Sequence, residues 1–212
     1  MLMRLEILTI HSHKHARCSL CLDIGSFPLS LLQLDLDNAD LFIGTPPLGR
    51  SHDDPSASDG MRPQAALPGR LRHVHLRSCS APLWPLLSPS LLSLQMSNTQ
   101  LDIITVGSQT GGGDAKSPRG AHSGQCPHVI IQMVTACPRL EVLHLEQVFS
   151  SIGGALTANS EDELKLLVST LATSLKALWL DLGSSVSAAG IRSLAGLRNL
   201  LDLGLSLSRS NG

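Results

Sequence analysis

The chain has 212 residues, 42% of them hydrophobic but only 2% aromatic, and a formal net charge of −1. A sizeable core is therefore available and must be aliphatic, and there is no basic field of the kind that attracts nucleic acid. No run of about 18 apolar residues exists to span a membrane, and 12 Pro and 18 Gly spread along the chain exclude a long coiled coil.

Leucine makes up roughly a fifth of the residues, about twice the usual share, and its spacing organises the chain. The first segment, MLMRLEILTI, is interrupted by Arg4 and Glu6, which makes it a poor signal peptide and leaves cytoplasmic or nuclear residence as the expectation. It also holds the first copy of a pattern L-x-x-L-x-L, in Leu5, Leu8 and Ile10. The pattern returns at Leu31/Leu34/Leu36, Leu71/Val74/Leu76, Leu91/Leu94/Met96, Leu140/Leu143/Leu145, Leu175/Leu178/Leu180 and Leu200/Leu203/Leu205. Successive copies start 26, 40, 20, 49, 35 and 25 residues apart. Positions 4 and 6 of the pattern alternate, so they share one face of a short strand, and position 1 enters the same interior just before it. One such strand cannot bury that face alone. Neighbouring copies must stack in parallel, about 4.8 Å apart, around a common core.

After the first copy comes HSHKHARCSLC at 11–21. His11, His13, Cys18 and Cys21 are zinc-ligand types, but structural zinc needs four ligands, commonly as two close pairs, and only one C-x-x-C is present. A polar turn followed by small buried cysteines accounts for the stretch, so no metal and no cofactor is assigned; a zinc-binding module is the alternative. The five cysteines, Cys18, Cys21, Cys79, Cys126 and Cys137, are odd in number and scattered, unlike a disulfide framework.

Two segments between copies, 43–69 and 107–127, are rich in Pro, Gly, Ser and Asp. Neither can bury enough apolar surface to offset the entropy of ordering, so disordered insertions are expected. The second contains TGGGDAKS, in which Ala115 stands where a phosphate-binding loop requires Gly before the Lys. Residues 81–90, APLWPLLSPS, are too proline-rich for a helix, and an irregular convex turn with Trp84 packed on the core is expected.

The C-terminal half shows helical periodicity between copies. Ile130, Met133, Val134 and Cys137 fall on one helical face, with Pro138 as the stop. Ser160-Glu161-Asp162-Glu163 matches a capping box, followed by Leu164, Leu167, Val168 and Leu171 on one face. Between the last two strands a helix offers Ile191, Leu194 and Ala195 to the core.

RLRHVHLRSC (70–79), CPRLEVLHLEQV (137–148) and SLKALWLDL (174–182) resemble leucine-rich repeats. The Cys-Pro-x-Leu-x-x-Leu-x-Leu form, with AAGIRSLAGLRNLLDLGLS (188–206), is similar to the F-box and ribonuclease-inhibitor-like branches of that superfamily. Position 9, often Asn or Cys in such repeats, is His13, Ala39, Cys79, Thr99, Val148, Gly183 and Ser208, so only Cys79 conforms. No F-box-like helical segment precedes the first strand, and the last strand runs into SRSNG without a capping helix, as a fragment or an atypical gene product would. The resemblance implies an α/β leucine-rich-repeat solenoid over residues 1–212, a single domain of about seven irregular repeats. It would have a parallel concave sheet and convex helices or turns.

On a strand of such a sheet, positions 3, 5 and 7 point away from the core. Position 5 forms a ladder of Thr9, Asp35, His75, Gln95, His144, Trp179 and Gly204. Positions 3 and 7 add Gln33, Asp37, His73, Arg77, Glu146 and Asp181. Trp and Arg are the types most often found at the energetic centre of interfaces. The expected partner-binding residues are Asp35, His73, His75, Arg77, Gln95, His144, Glu146, Trp179 and Asp181. No catalytic motif stands out, and His144 with Glu146 on an open strand reads as surface rather than as an acid–base pair. The expected function is a non-enzymatic scaffold that binds a protein partner, with no nucleic acid and no membrane involved. A narrower form implied by the resemblance is the substrate-recognition part of an F-box-type ubiquitin-ligase adaptor.

Overall fold

The computed structural model describes residues 5–12, 20–43, 69–103, 129–150 and 155–207. In chain order the elements are β1 (Ile7–His11), β2 (Leu20–Asp23), β3 (Gln33–Asp37), β4 (Ala39–Phe42), β5 (His73–Arg77), β6 (Ser80–Pro82) and α1 (Leu83–Leu86). These are followed by β7 (Ser93–Ser97), β8 (Gln100–Asp102), α2 (Val129–Ala136), β9 (Val142–Glu146) and β10 (Phe149–Ser150). The last are α3 (Glu161–Leu171), β11 (Ala177–Leu182), α4 (Ala188–Ser193) and β12 (Asp202–Leu207). Among the described residues the strands form two parallel sheets in an α/β arrangement, one of seven strands in the order β1-β3-β5-β7-β9-β11-β12 and one of five in the order β10-β8-β6-β4-β2.

The larger sheet joins the leucine patterns without a register slip. Leu8, Leu34, Val74, Leu94, Leu143, Leu178 and Leu203 are aligned neighbours, and so are Ile10, Leu36, Leu76, Met96, Leu145, Leu180 and Leu205. A slip of one residue would turn every leucine to the other face, so the shared apolar side selects this pairing. Entry into each strand is equally regular. The carbonyls of Glu6, Leu32, Arg72, Leu92, Glu141 and Lys176 each accept two successive N–H groups from the next unit, as Leu32 does from Arg72 at 2.8 Å and His73 at 3.1 Å. The position-1 residues Leu31, Leu71, Leu91, Leu140 and Leu175 close the core at this edge and are buried. Each such Leu contributes about 2 kcal/mol of burial.

The smaller sheet was not foreseen, because turns and helices were expected opposite the larger one. Its origin is local. Asn38, Ser78, Asn98 and Gln147, each directly after a strand of the larger sheet, adopt positive φ of 57°, 52°, 49° and 51°. That conformation turns the chain sharply. The following residue, Ala39, Cys79, Thr99 or Val148, is then buried, and two to four residues pair with the next unit. The corner is also hydrogen-bonded across units: Asn38 N–H donates to Arg77 C=O, Ser78 to Ser97 and Asn98 to Glu146, at 2.8, 2.9 and 3.0 Å. Cys79 Sγ–H points to Leu36 and Arg77 carbonyls, and the Thr99 hydroxyl donates to Leu76 and Ser97 carbonyls.

The helices lie mainly in the C-terminal half. Helix α2 buries Val129, Ile130, Met133 and Val134 and ends before Pro138. Ser160 caps α3 by accepting from Glu163 N–H at 3.2 Å, but the Glu163 carboxylate accepts from Asn159 N–H at 2.7 Å rather than closing the box on Ser160. Residues 81–90 depart from expectation: α1 is a single helical turn, with Pro85 in the first turn, where its missing N–H costs nothing. Trp84 does pack against the core. Of the three residues expected to reach the core from the last helix, only Leu194, just past the end of α4, is buried; Ile191 (38% exposed) and Ala195 are exposed, and within α4 Gly190 takes the inner position. Nothing described packs beyond this helix, so an apolar periodicity there has no second surface to meet. Leu203, at a core position of β12, is likewise 46% exposed.

The insertions expected at 43–69 and 107–127 lie, apart from Ile43 and Gly69, outside the described residues, as does TGGGDAKS. Among the described residues no helix is long and apolar enough to cross a membrane.

Candidate functional site

The face of the larger sheet opposite the core carries positions 3, 5 and 7. Strand alternation puts them there, and β5 shows it most clearly: Val74 and Leu76 are buried while His73, His75 and Arg77 are exposed. All nine expected residues lie on this face, from five neighbouring strands. The parallel register sets Asp35, His75, Gln95, His144, Trp179 and Gly204 side by side in one row.

Contacts divide the row into groups. His75 Nδ1 lies 3.3 Å from Asp35 Oδ1. Gln95 Nε2 donates to Ser93 Oγ at 3.1 Å. His144 Nε2 lies 3.3 Å from Glu146 Oε2, and its imidazole stacks on the Trp179 indole with ring centroids 5.4 Å apart and planes 19° apart. Trp179 Nε1–H donates to Asp202 Oδ2 at 3.0 Å. On the far side of the indole stands Gly204, where any Cβ would overlap the ring. The tryptophan is thus held by a stack, a hydrogen bond and a vacant Cβ position while remaining 42% exposed.

Asp181 lies on this face with both carboxylate oxygens engaged. Its Oδ2 accepts from Gln147 N–H at 2.8 Å and its Oδ1 from Ser206 Oγ. At the three preceding corners the equivalent N–H donates to a backbone carbonyl of the next unit; here the carboxylate takes that role. Asp181 therefore ties the fourth corner to β11. His73 lines neither of the hollows described next.

Two hollows open on the face. The larger, about 430 Å³, is walled by His75, Arg77 and Ser78 on one side and by His144, Glu146 and Gln147 on the other, with Ser97 and Asn98 between. The smaller, about 150 Å³, lies beside Trp179 and Gly204, with Leu145, Leu180 and Leu205 beneath and Glu146, Asp181 and Ser206 at its edge. The rim residues Ser78, Asn98 and Gln147 and the floor residue Ser97 were not singled out from the sequence. Their signal was a polar residue directly after each strand, at 38, 78, 98 and 147. Asp202 was also missed, since a carboxylate at position 3 of the last strand gains meaning only beneath Trp179.

Of the N-terminal cluster, His13 and Cys18 lie outside the described residues, while His11 ends β1 and Cys21 lies exposed on β2. Among the described residues no three His, Cys, Asp or Glu side chains are grouped to hold a metal ion. Cys79 and Cys137 are buried, and burial raises both thiols, Cys137 to about 11. Thiols so protonated are poor nucleophiles at neutral pH. No protein-family model, curated protein or solved structure matches the chain.

Proposed function

We propose that the protein is a leucine-rich-repeat solenoid that binds a protein partner on its concave sheet, in the cytoplasm or nucleus, and that it acts by binding rather than by catalysis. The observation that carries this reading is Trp179. A large aromatic side chain stands half exposed toward the C-terminal end of a polar row, fixed by His144, Asp202 and the bare backbone of Gly204. A rigid, amphipathic side chain loses little entropy on contact, which is why Trp so often dominates an interface. Glu146, Asp181 and Ser206 beside it, with His75 and Arg77 further along the same face, supply the polar surround that such an anchor has in interfaces. Extended repeat sheets offer the area needed to hold a partner segment.

The test is affinity capture from cell extract with the wild-type chain and with Trp179→Ala and Arg77→Ala, read by mass spectrometry. The expected result is loss of one or more partners from each variant and retention of all of them by Lys165→Ala, on helix α3. Capture of an unchanged set by both face variants removes the assignment.

A further inference from the structure

The two hollows differ in chemistry, and that difference specifies what a partner presents. In the larger hollow both histidines already have carboxylates, Asp35 for His75 and Glu146 for His144. Arg77 is different: among the described residues its guanidinium has neither an ion-pair nor a hydrogen-bond partner. Its register neighbour on the N-terminal side is Asp37, which is not part of the hollow. On the other side the register neighbour is Ser97, and the one after that is Glu146. A serine between two long side chains leaves the space beside the guanidinium open, and Ser78, Ser97 and Asn98 bring hydroxyl and amide groups to it. The one carboxylate in the wall, Glu146, is within 3.3 Å of an imidazole. Of the two formally charged side chains in the lining, Glu146 already has a contact and, among the described residues, Arg77 does not.

The smaller hollow is the reverse. Its wall is the Trp179 ring, and its floor is strand backbone at Leu145, Leu180, Gly204 and Leu205, the leucine side chains pointing to the core on the other face. Its two carboxylates are at the edge and engaged, Glu146 by His144 and Asp181 by Gln147 and Ser206. About 150 Å³ of mainly apolar space accommodates one aliphatic side chain. The larger hollow is centred on β7 and the smaller on β11, two strands apart, or about 10 Å.

We infer that the partner is a protein segment presenting an acidic side chain to Arg77 and an aliphatic side chain beside Trp179, about 10 Å apart. The pairing supplies Arg77 with a carboxylate in its planar, bidentate geometry. The apolar anchor fills a space that water occupies poorly. This inference rests on the proposed binding face and adds the chemistry of its occupant.

The experiment is selection from a displayed random-peptide library on immobilised wild-type protein, followed by affinity measurement on Arg77→Glu and Trp179→Ala, with circular dichroism establishing that both variants keep the wild-type fold. The selected peptides are expected to share an Asp or Glu and a Leu, Ile, Met or Val. They should lose about tenfold or more in affinity on either variant. Reselection on Arg77→Glu should replace the acidic residue by Lys or Arg. Peptides that depend on Trp179 but carry no acidic residue, or acidic peptides indifferent to Arg77→Glu, overturn the inference and leave the binding face standing. Peptides indifferent to both variants, or no peptide at all, overturn the inference and the binding face together.

Discussion

At the scale of single residues, the face is governed by a few side chains whose neighbours set their behaviour. Gly204 is the clearest. Strand residues pay for glycine in conformational freedom, yet here only a bare Cα admits the Trp179 indole. Gly204→Ala is expected to push the ring off Asp202 and off His144, forfeiting about 0.5–1.5 kcal/mol of stacking. The tryptophan bands in near-ultraviolet circular dichroism should weaken, and an unchanged spectrum would show that the ring does not depend on the gap. Cys137 gives a second case. Burial raises its thiol from 9.0 to about 11, so between those values the unfolded chain releases a proton that the folded chain keeps. Its contribution to stability is therefore complete below pH 9 and declines as pH rises through about 11. Cys79, also raised by burial, acts in the same sense. The urea midpoint of the wild type should fall between about pH 8 and pH 10.5 by more than that of a Cys79→Ala/Cys137→Ala double variant. Position 9 was read from the sequence as a departure from the repeat pattern, yet Thr99 occupies it with its hydroxyl donating to Leu76 and Ser97 carbonyls. Hydrogen-bonding capacity, rather than identity as Asn or Cys, is what that place uses at Cys79 and Thr99.

At the scale of elements, local signals proved readable where a segment carries its own stop and start. Ser160 caps α3 as its sequence suggests, and three acidic residues occupy the first turn, where they favour the helix dipole. Ser160→Ala is expected to lower stability by about 1 kcal/mol, and Ser160→Asp to keep it. Equal urea midpoints for the Ala variant and the wild type would mean that Glu163, bonded to Asn159, holds the helix start without the cap. Elements that depend on neighbours were not readable in the same way. The strands β4, β6, β8 and β10 are two to four residues long, too short for a period-two pattern to register. They exist because a positive-φ corner aims each of them at the unit before and after. Helix α4 fails in the opposite direction: Ile191 has the right spacing for burial but lacks a described surface to bury against.

At the scale of the whole molecule, stability runs from unit to unit. Each strand of the larger sheet contacts the strands on either side, and its buried leucines are shared with those same neighbours. Interior strands therefore have two partners, while β1 and β12 have one each in the described sheet. Exposure within the core rows follows: Leu8 and Ile10 of β1 are only half-buried and Leu203 of β12 is 46% exposed, against fully buried Leu76 and Leu94. Amide hydrogen exchange is expected to be slowest in β5, β7 and β9 and fastest in β12. Uniform protection across the sheet would show that the units unfold as one body. The same organisation bears on the proposed binding face: His75, Arg77 and His144 stand on β5 and β9, in the well-supported middle, whereas Trp179 stands on β11 and is held by Asp202 and Gly204 of the edge strand β12.

The amino-acid order by itself determined where seven strands run, which of their side chains face inward, and that the inner rows align, because leucine periodicity is a local property and burial penalises any slipped register. It also placed all nine expected binding residues on one outward face, by alternation alone. Only the tertiary structure decided which of those side chains meet. Arg77 stands open beside Ser97 while His144 lies on Trp179, since strands 20 to 49 residues apart in sequence become neighbours only when stacked. It decided equally that Asp181 serves a corner and that a second sheet forms, because hydrogen bonds between units have no counterpart within a single one.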